Sequence, residues 1–273
     1  MRINTNVVAQ NALGNLNKTN RGLSNTFQNI SSGLRINNAA DDAAGLAVAE
    51  NLEAEQMSLR QAQRNTNDGI SVIQTAEGAT NEVADMLKRM RELAVQSSSE
   101  TLANSERAYI EDEFKQLTGE VDRIAAVTEF NGIDLGDGSN AQINVQVGIH
   151  DSSDDRIAIS MGDLRGQTLG VDTANMSLSN TASAQAAITK LDTALDSVNQ
   201  YRSNYGAVQN RLESALNNLE TYTENVASSE SRIRDADFAF ETAEMSKFQV
   251  MQQAGTAILG QANGLGQGAL RLI

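Results

Sequence analysis

An apolar pattern that continues for about forty residues is the feature that most constrains the fold of this chain. Between Ile188 and Val226, a residue of the same stripe recurs at every third or fourth position. Such steps keep side chains on one face of an α-helix, so the run predicts a single helix about 60 Å long at ~1.5 Å per residue. Because one narrow stripe cannot enclose a globular core, it favours a helical bundle or coiled coil. The stripe consists of Ile188, Leu191, Leu195, Val198, Arg202, Tyr205, Gln209, Leu212, Leu216, Leu219, Thr223 and Val226.

Four further stretches of the chain show the same helical spacing. The first keeps this spacing up to Leu34, the second extends from Leu46 to about Gln96, the third surrounds Phe114, and the last runs from Phe248 to Leu272. The chain has no proline, the residue that interrupts helix interiors most strongly, so long helices meet no obstacle. The second stretch predicts one heptad line formed by Leu52, Leu59, Thr66, Ile73, Thr80 and Leu87.

The region between the third stretch and the long run has a different pattern. "INVQVGI" (143–149) and "RIAISM" (156–161) alternate apolar and polar residues, which predicts a β-hairpin. "GQTLGVDTANMSLSNTASAQ" (166–185) is predicted to be a linker that leads back into helix. The expected fold class is therefore mainly α, an elongated helical rod or coiled-coil bundle with a small β-hairpin region.

Charge is distributed unevenly along the chain. The first 40 residues carry four cations and no acid, and residues 248–273 carry a single cation. Because the net charge of the whole chain is −14, residues 41–247 hold −19. This balance argues against nucleic acid and against an anionic membrane as partners. Residues 248–270 are uncharged, but six Gln or Asn and five Gly argue against a membrane span.

The sequence contains no recognisable catalytic or metal-binding motif. There is no cysteine, and His150 is the one histidine, which excludes a thiolate site and leaves too few ligands for a structural zinc site. Phosphate-binding loops, nucleophile elbows and metalloprotease motifs are also missing from the sequence. We expect a protein that is not an enzyme, with no catalytic residue, no cofactor and no metal.

Several long motifs resemble those of bacterial flagellin. "LSNTFQNISSGLRINNAADDAAGLAVAENL" (23–52) is similar to the N-terminal signature of that family. "NDGISVIQTAEGA" (67–79) and "YGAVQNRLESALNNL" (205–219) are similar to later blocks, and residues 228–263 resemble its C-terminal half. At 273 residues the chain looks like a short form that lacks most of the variable outer domain.

The resemblance implies a structural subunit that polymerises into the flagellar filament, the helical propeller for motility. It also implies export without a cleaved signal through the flagellum-specific type III apparatus, with an export chaperone and the filament cap as partners and an extracellular location. The alternative is a hook–filament junction protein, which shares the terminal helices. The expected division is an N-terminal inner coiled-coil helix (1–42), rod helices with the hairpin and linker (43–180), a long return helix of the rod (181–232) and a C-terminal inner coiled-coil helix (233–273).

Two sets of candidate site residues follow. The terminal helices are expected to pair along a seam on which large and small residues alternate, and this seam should order on assembly. A second resemblance, in "LKRMRELAVQS" (87–97), implies recognition of the monomer by Toll-like receptor 5 through Arg89, Leu93 and Glu113. The predicted assembly seam consists of Leu23, Phe27, Ile30, Leu34, Phe248, Met251, Gly255, Ile258 and Leu265.

Overall fold

The structure is a computed structural model that describes residues 5–173 and 176–270, with side chains described as far as residue 264. It is mainly α-helical, as the sequence predicts. The helices are α1 Val7–Ser32, α2 Ala43–Ser97, α3 Asn104–Val127, α4 Gly166–Leu169, α5 Thr181–Arg234 and α6 Phe238–Leu270. The strands are β1 Glu129–Phe130, β2 Ile133–Asp134, β3 Gln142–Gln146 and β4 Arg156–Ser160.

The chain forms two compact units. One, here called the terminal unit, contains the chain up to Gln56 and from Glu224 onward. The other, the central unit, is Met57–Thr223. The terminal unit therefore holds α1, α6, the first residues of α2 and the last residues of α5, while the central unit holds the rest.

The core of the central unit lies along two heptad lines. On α2 the predicted line is buried from Leu59 to Leu87, including Thr66 and Thr80, which are both fully buried, while Leu52 at its start is partly buried and lies in the terminal unit. The two threonine hydroxyls donate to the carbonyls of Ala62 (2.7 Å) and Ala76 (2.6 Å) on the same helix, so neither buried hydroxyl is left without a partner. The matching buried line on α5 is formed by Leu191, Val198, Tyr205, Leu212 and Leu219.

The predicted hairpin is confirmed. Strands β3 and β4 pair antiparallel, with Gln142 opposite Ser160 and Gln146 opposite Arg156. The hairpin is fastened to α5 where β4 ends, because the Gly162 N–H donates to the hydroxyl of Tyr205 at 3.0 Å. The short β1–β2 pair was not predicted as strand; it is closed by Asn131 and Gly132, which both adopt positive φ.

The segment predicted to be a linker contributes to the core instead. It contains the short helix α4, and its apolar residues Leu169, Val171, Met176 and Leu178 are all buried. These residues follow neither a helical nor a strand period, which explains why the sequence pattern indicated a loop. The segment is therefore an irregular part of the central core rather than a solvated connection.

In the terminal unit, residues 33–42, which lie within the N-terminal motif 23–52, connect α1 to α2. Gly33 ends α1 with φ 73°, and the carboxylate of Asp42 accepts from the N–H groups of Ala44 (3.1 Å) and Gly45 (2.9 Å) at the start of α2. The expectation that Leu34 continues the helical stripe is wrong, because the left-handed Gly33 places Leu34 outside α1. Leu34 instead forms an isolated antiparallel bridge with Asp235.

Candidate functional site

Helices α1 and α6 pack against each other in antiparallel fashion through small residues. A methyl group on Gly22 would lie 2.5 Å from Cζ of Phe248, so the ring sits directly on the glycine backbone. Further along, Gly255 faces Leu16, whose Cδ1 would lie 3.2 Å from an added methyl group. Glycine at these two positions permits the close approach of the helices.

Much of this contact is polar, a feature that the sequence reasoning missed. Thr19 and Thr26 of α1 are buried, and so is Glu241 of α6, at 8 % exposure. Among the residues that the structure describes, three side-chain hydrogen bonds join α6 to α1 or to Asn6, the residue before α1. They run from Asn6 Nδ2 to the Ala262 carbonyl (2.9 Å), from Gln252 Nε2 to Asn20 Oδ1 (2.9 Å) and from Asn29 Nδ2 to Glu241 Oε1 (3.0 Å).

The residues of the predicted assembly seam lie on more than one face. Phe248 and Gly255 face α1, and Leu23 and Ile30 are partly buried. Leu265 is outside the residues whose side chains are described. The remaining helical members are exposed in the single chain: Phe27 at 66 %, Met251 at 43 % and Ile258 at 53 %.

These exposed members belong to a larger group on the same two helices. Of the sixteen large apolar side chains exposed among the described residues, nine lie on α1 or α6. Large apolar side chains left exposed in such number on two paired helices indicate an interaction site. We call this group the exposed apolar set: Val7, Val8, Leu13, Phe27, Phe238, Phe240, Val250, Met251 and Ile258.

The candidate receptor residues lie in the central unit, where α2 and α3 bring two of them together. Arg89 donates from Nε (3.0 Å) and Nη2 (2.9 Å) to Oε1 of Glu113, and from Nη1 to Glu92 (3.0 Å). The hydrogen bond to Glu113, followed by that to Glu92, raises the pKa of Arg89. Leu93 does not lie on this surface: it is only 2 % exposed and belongs to the core. Of the three residues that the resemblance implies for one site, the structure brings Arg89 and Glu113 together at the surface, whereas Leu93 packs inward between the helices.

Among the described residues, no group of three or more His, Asp or Glu side chains is arranged to hold a metal ion. None of the described helices contains a stretch apolar enough to span a bilayer.

The sequence matches two protein-family models. A model of the bacterial flagellin N-terminal helical region matches residues 3–141, and a model of the bacterial flagellin C-terminal helical region matches residues 188–273. The chain belongs to the bacterial flagellin family. The paired terminal helices and the exposed apolar set thus lie in regions that flagellins share.

Curated flagellins match along the whole length of this flagellin. A flagellin of Halalkalibacterium halodurans is 43 % identical over 274 residues, and the flagellar filament core protein flaB2 of Brachyspira hyodysenteriae is 42 % identical over 284 residues. Both alignments cover 100 % of each chain. The prediction of a structural subunit of the flagellar filament is confirmed.

Solved structures agree on the fold. The crystal structure of Bacillus cereus flagellin is 34 % identical with a TM-score of 0.51, and the match covers 57 % of this chain and 88 % of that one. A putative flagellar hook-associated protein of Vibrio parahaemolyticus gives a TM-score of 0.60 and covers 71 % of this chain and 100 % of its own. At 16 % identity this second match shows a common fold alone, so it does not favour the junction alternative.

Proposed function

We propose that copies of this flagellin polymerise through the exposed apolar set on α1 and α6. The observation that carries the proposal is the concentration of nine large exposed apolar side chains on these two helices. Burying one such side chain contributes about 1.5–3 kcal/mol, so a modest part of the set would drive association if it were covered by a neighbouring subunit.

The distribution of charge supports the same surfaces. Residues 1–40 contain no acid and residues 248–273 only one charge, so identical copies can stack there without strong repulsion. The acidic segment between these ends, residues 43–232, is better suited to face water, where like charges keep filaments apart. This proposal assigns residues 1–42 and 233–273 to the inner layer of the filament.

Seeded growth of filaments tests the proposal directly. Purified monomer added to filament fragments should extend them, whereas Phe27→Ser and Ile258→Ser monomers should extend them at least about tenfold more slowly, because each removes one apolar contact of ~1.5 kcal/mol or more. Val127→Ser is the matched control, since Val127 is 55 % exposed but lies on α3. Equal growth rates for all three variants would reject the exposed apolar set as the assembly surface.

Export and the accessory partners form a second part of the proposal. We infer that the chain leaves the cell through the flagellum-specific apparatus, with an export chaperone and the filament cap as partners and no catalytic activity of its own. The support is membership of the flagellin family together with glycine-rich, weakly charged ends that form poor helices by themselves. Retention of the protein inside cells that lack the export apparatus, and its release by the parent cells, is the expected outcome of cell fractionation.

A third part concerns Toll-like receptor 5. We propose that the receptor binds monomer at the exposed Arg89–Glu113 pair, while the buried Leu93 holds α2 in place behind it. Arg89→Ala should weaken receptor activation by about tenfold or more, in the range of a charged anchor. Lys88→Ala is the control, because Lys88 is the neighbour of Arg89 in sequence but pairs with Asp85 on its own helix. A reporter assay in which both variants match the parent would reject this part and leave the filament role intact.

A further inference from the structure

The two helix breaks of the terminal unit are hydrogen-bonded to each other. One break is the α1–α2 connection, residues 33–42, and the other separates α5 from α6. The Arg35 N–H donates to the Arg234 carbonyl at 2.7 Å, and the Ala236 N–H donates to the Gly33 carbonyl at 2.9 Å. The two connections therefore form a short antiparallel clasp rather than two independent loops.

A chain of three side chains extends from this clasp to α6. Asn37 Nδ2, in the α1–α2 connection, donates to the Leu34 carbonyl (2.9 Å) and to Asn29 Oδ1 on α1 (3.0 Å). Asn29 Nδ2 in turn donates to Glu241 Oε1 on α6 (3.0 Å). We call Asn37, Asn29 and Glu241 the amide relay; it joins the connection, α1 and α6.

Only one orientation of the Asn29 carboxamide allows both of its hydrogen bonds in the amide relay. A carboxylate oxygen can only accept, so Asn29 must turn its NH₂ group towards Glu241 and leave its oxygen for Asn37. Glu241 is 8 % exposed, and none of the ion pairs in the described part of the chain includes it. If α6 were absent or shifted by one turn, about 5.4 Å, Asn29 would lose the acceptor that orients it, and a buried carboxylate would lose its donor.

We propose that the amide relay couples the seating of α6 on α1 to the folding of the connection at residues 33–42. When α6 packs on α1, Glu241 accepts from Asn29 and thereby orients the Asn29 carboxamide. The oxygen of Asn29 then accepts from Asn37, which stabilises the connection and its hydrogen bonds to the α5–α6 break. Without Glu241 in place, the connection loses this support and opens more often. The coupling operates within one chain, so it stands whether or not the exposed apolar set joins the subunits.

Amide hydrogen exchange in filaments measures the coupling. A minority of isotopically labelled variant is grown into filaments with an excess of unlabelled parent, and exchange is followed in a peptide that covers residues 34–38. Glu241→Leu should speed exchange there about tenfold, which corresponds to ~1.4 kcal/mol for the loss of one partly buried hydrogen bond to a carboxylate. Glu241→Gln should match the parent, because its carboxamide oxygen still accepts from Asn29. Glu244→Leu, which removes an acid that pairs with Lys247 on the same helix, should also match.

The reverse direction provides an independent check, because coupling between two positions must be reciprocal. Asn37→Ala should speed exchange in the first turn of α6, residues 238–242, whereas Asn38→Ala should not. If Glu241→Leu does not enter filaments, the comparison of Asn37→Ala with Asn38→Ala tests the proposal by itself. Parent-like exchange in residues 238–242 of Asn37→Ala, parent-like exchange in residues 34–38 of Glu241→Leu, or equal effects of Glu241→Leu and Glu241→Gln would each overturn the proposal.

Discussion

The helix contacts of the central unit and those of the terminal unit differ in kind. Along α2 and α5 the buried positions are mostly apolar, chiefly Leu, Ile, Val and Ala, and the two buried threonines satisfy their hydroxyls within their own helix. Between α1 and α6 the contact uses glycine, threonine, amides and a carboxylate, while large apolar residues such as Phe27 and Ile258 remain exposed. The first kind of contact stabilises a fold by itself, and the second selects a register but leaves most apolar surface for another molecule.

The largest expected effect is on the free energy of unfolding, when a side chain is shortened in the central core and another in the α1–α6 contact. Leu191→Ala, in the central core, should lower the free energy of unfolding of monomer by about 2–5 kcal/mol, because Leu191 is fully buried and its loss leaves a cavity. Leu16→Ala, in the terminal contact, should lower it by less than about 1 kcal/mol. Urea unfolding followed by circular dichroism provides both values. Equal losses would show that the terminal pair stabilises the monomer as much as the central core does.

A second prediction concerns the closest approach of α1 and α6. Gly22→Ala should cost about 1–3 kcal/mol in filament stability, since its methyl group would overlap the Phe248 ring. Gly14→Ala should instead be neutral or stabilising by about 0.5–1 kcal/mol, because that position is open and alanine favours helix. The temperatures at which the two kinds of filament depolymerise should therefore move in opposite directions. A common direction of shift would contradict the close packing at Gly22.

A third prediction concerns how the hairpin is held in the central unit. Tyr205→Phe removes the hydroxyl that accepts from the Gly162 N–H, and that N–H would remain buried. The expected loss is about 1–2 kcal/mol in monomer unfolding. Tyr201→Phe serves as the control, because the Tyr201 ring, rather than its hydroxyl, lies against Gly162. If both variants unfold like the parent, the hydroxyl does not fasten the hairpin.

The smallest effect is a pH dependence in the central unit. The hydrogen bond from Arg165, helped by Thr168, lowers the pKa of Asp163 to about 2. Because the folded-state pKa lies below the ordinary value of 3.8, the stabilisation is present at neutral pH and is lost as the pH falls from about 5 to 2. Asp163→Asn should reduce the loss of unfolding free energy between about pH 5 and pH 2 by roughly 1 kcal/mol, after allowance for solvent screening. A variant whose loss over this pH range matches that of the parent would rule out Asp163 as the source.

Sequence periodicity predicted the central helices well, because their buried residues are large, apolar and regularly spaced. The heptad from Leu59 to Leu87 and the long run beginning at Ile188 both correspond to single helices. Periodicity failed where burial depends on tertiary structure: Leu93 packs inward, and Val171 is buried from an irregular segment. It could not show that Glu241 is buried, since a charged residue in the first turn of a helix normally indicates an exposed position.

The candidate site was predictable only in part for a related reason. Large residues at both ends indicated contact surfaces, but a stripe pattern cannot say which of two faces meets the partner helix of the same chain. Phe248 faces α1 because Gly22 lies opposite, whereas Met251, less than one turn away, is exposed. The deciding residue is thus more than two hundred positions distant in sequence. The sequence signal for the face of each helix that meets the other was a glycine, Gly22 on α1 and Gly255 on α6.

The central claim is that the central unit is stable alone, while the terminal helices need assembly to become fully ordered. Amide hydrogen exchange of monomer and of filament, measured on the same preparation, tests it most directly. We expect α2 and α5 between residues 57 and 223 to be strongly protected in both states. We expect α1 and α6 to exchange rapidly in monomer and slowly in filament. Protection of α1 and α6 in monomer equal to that in filament would contradict the claim.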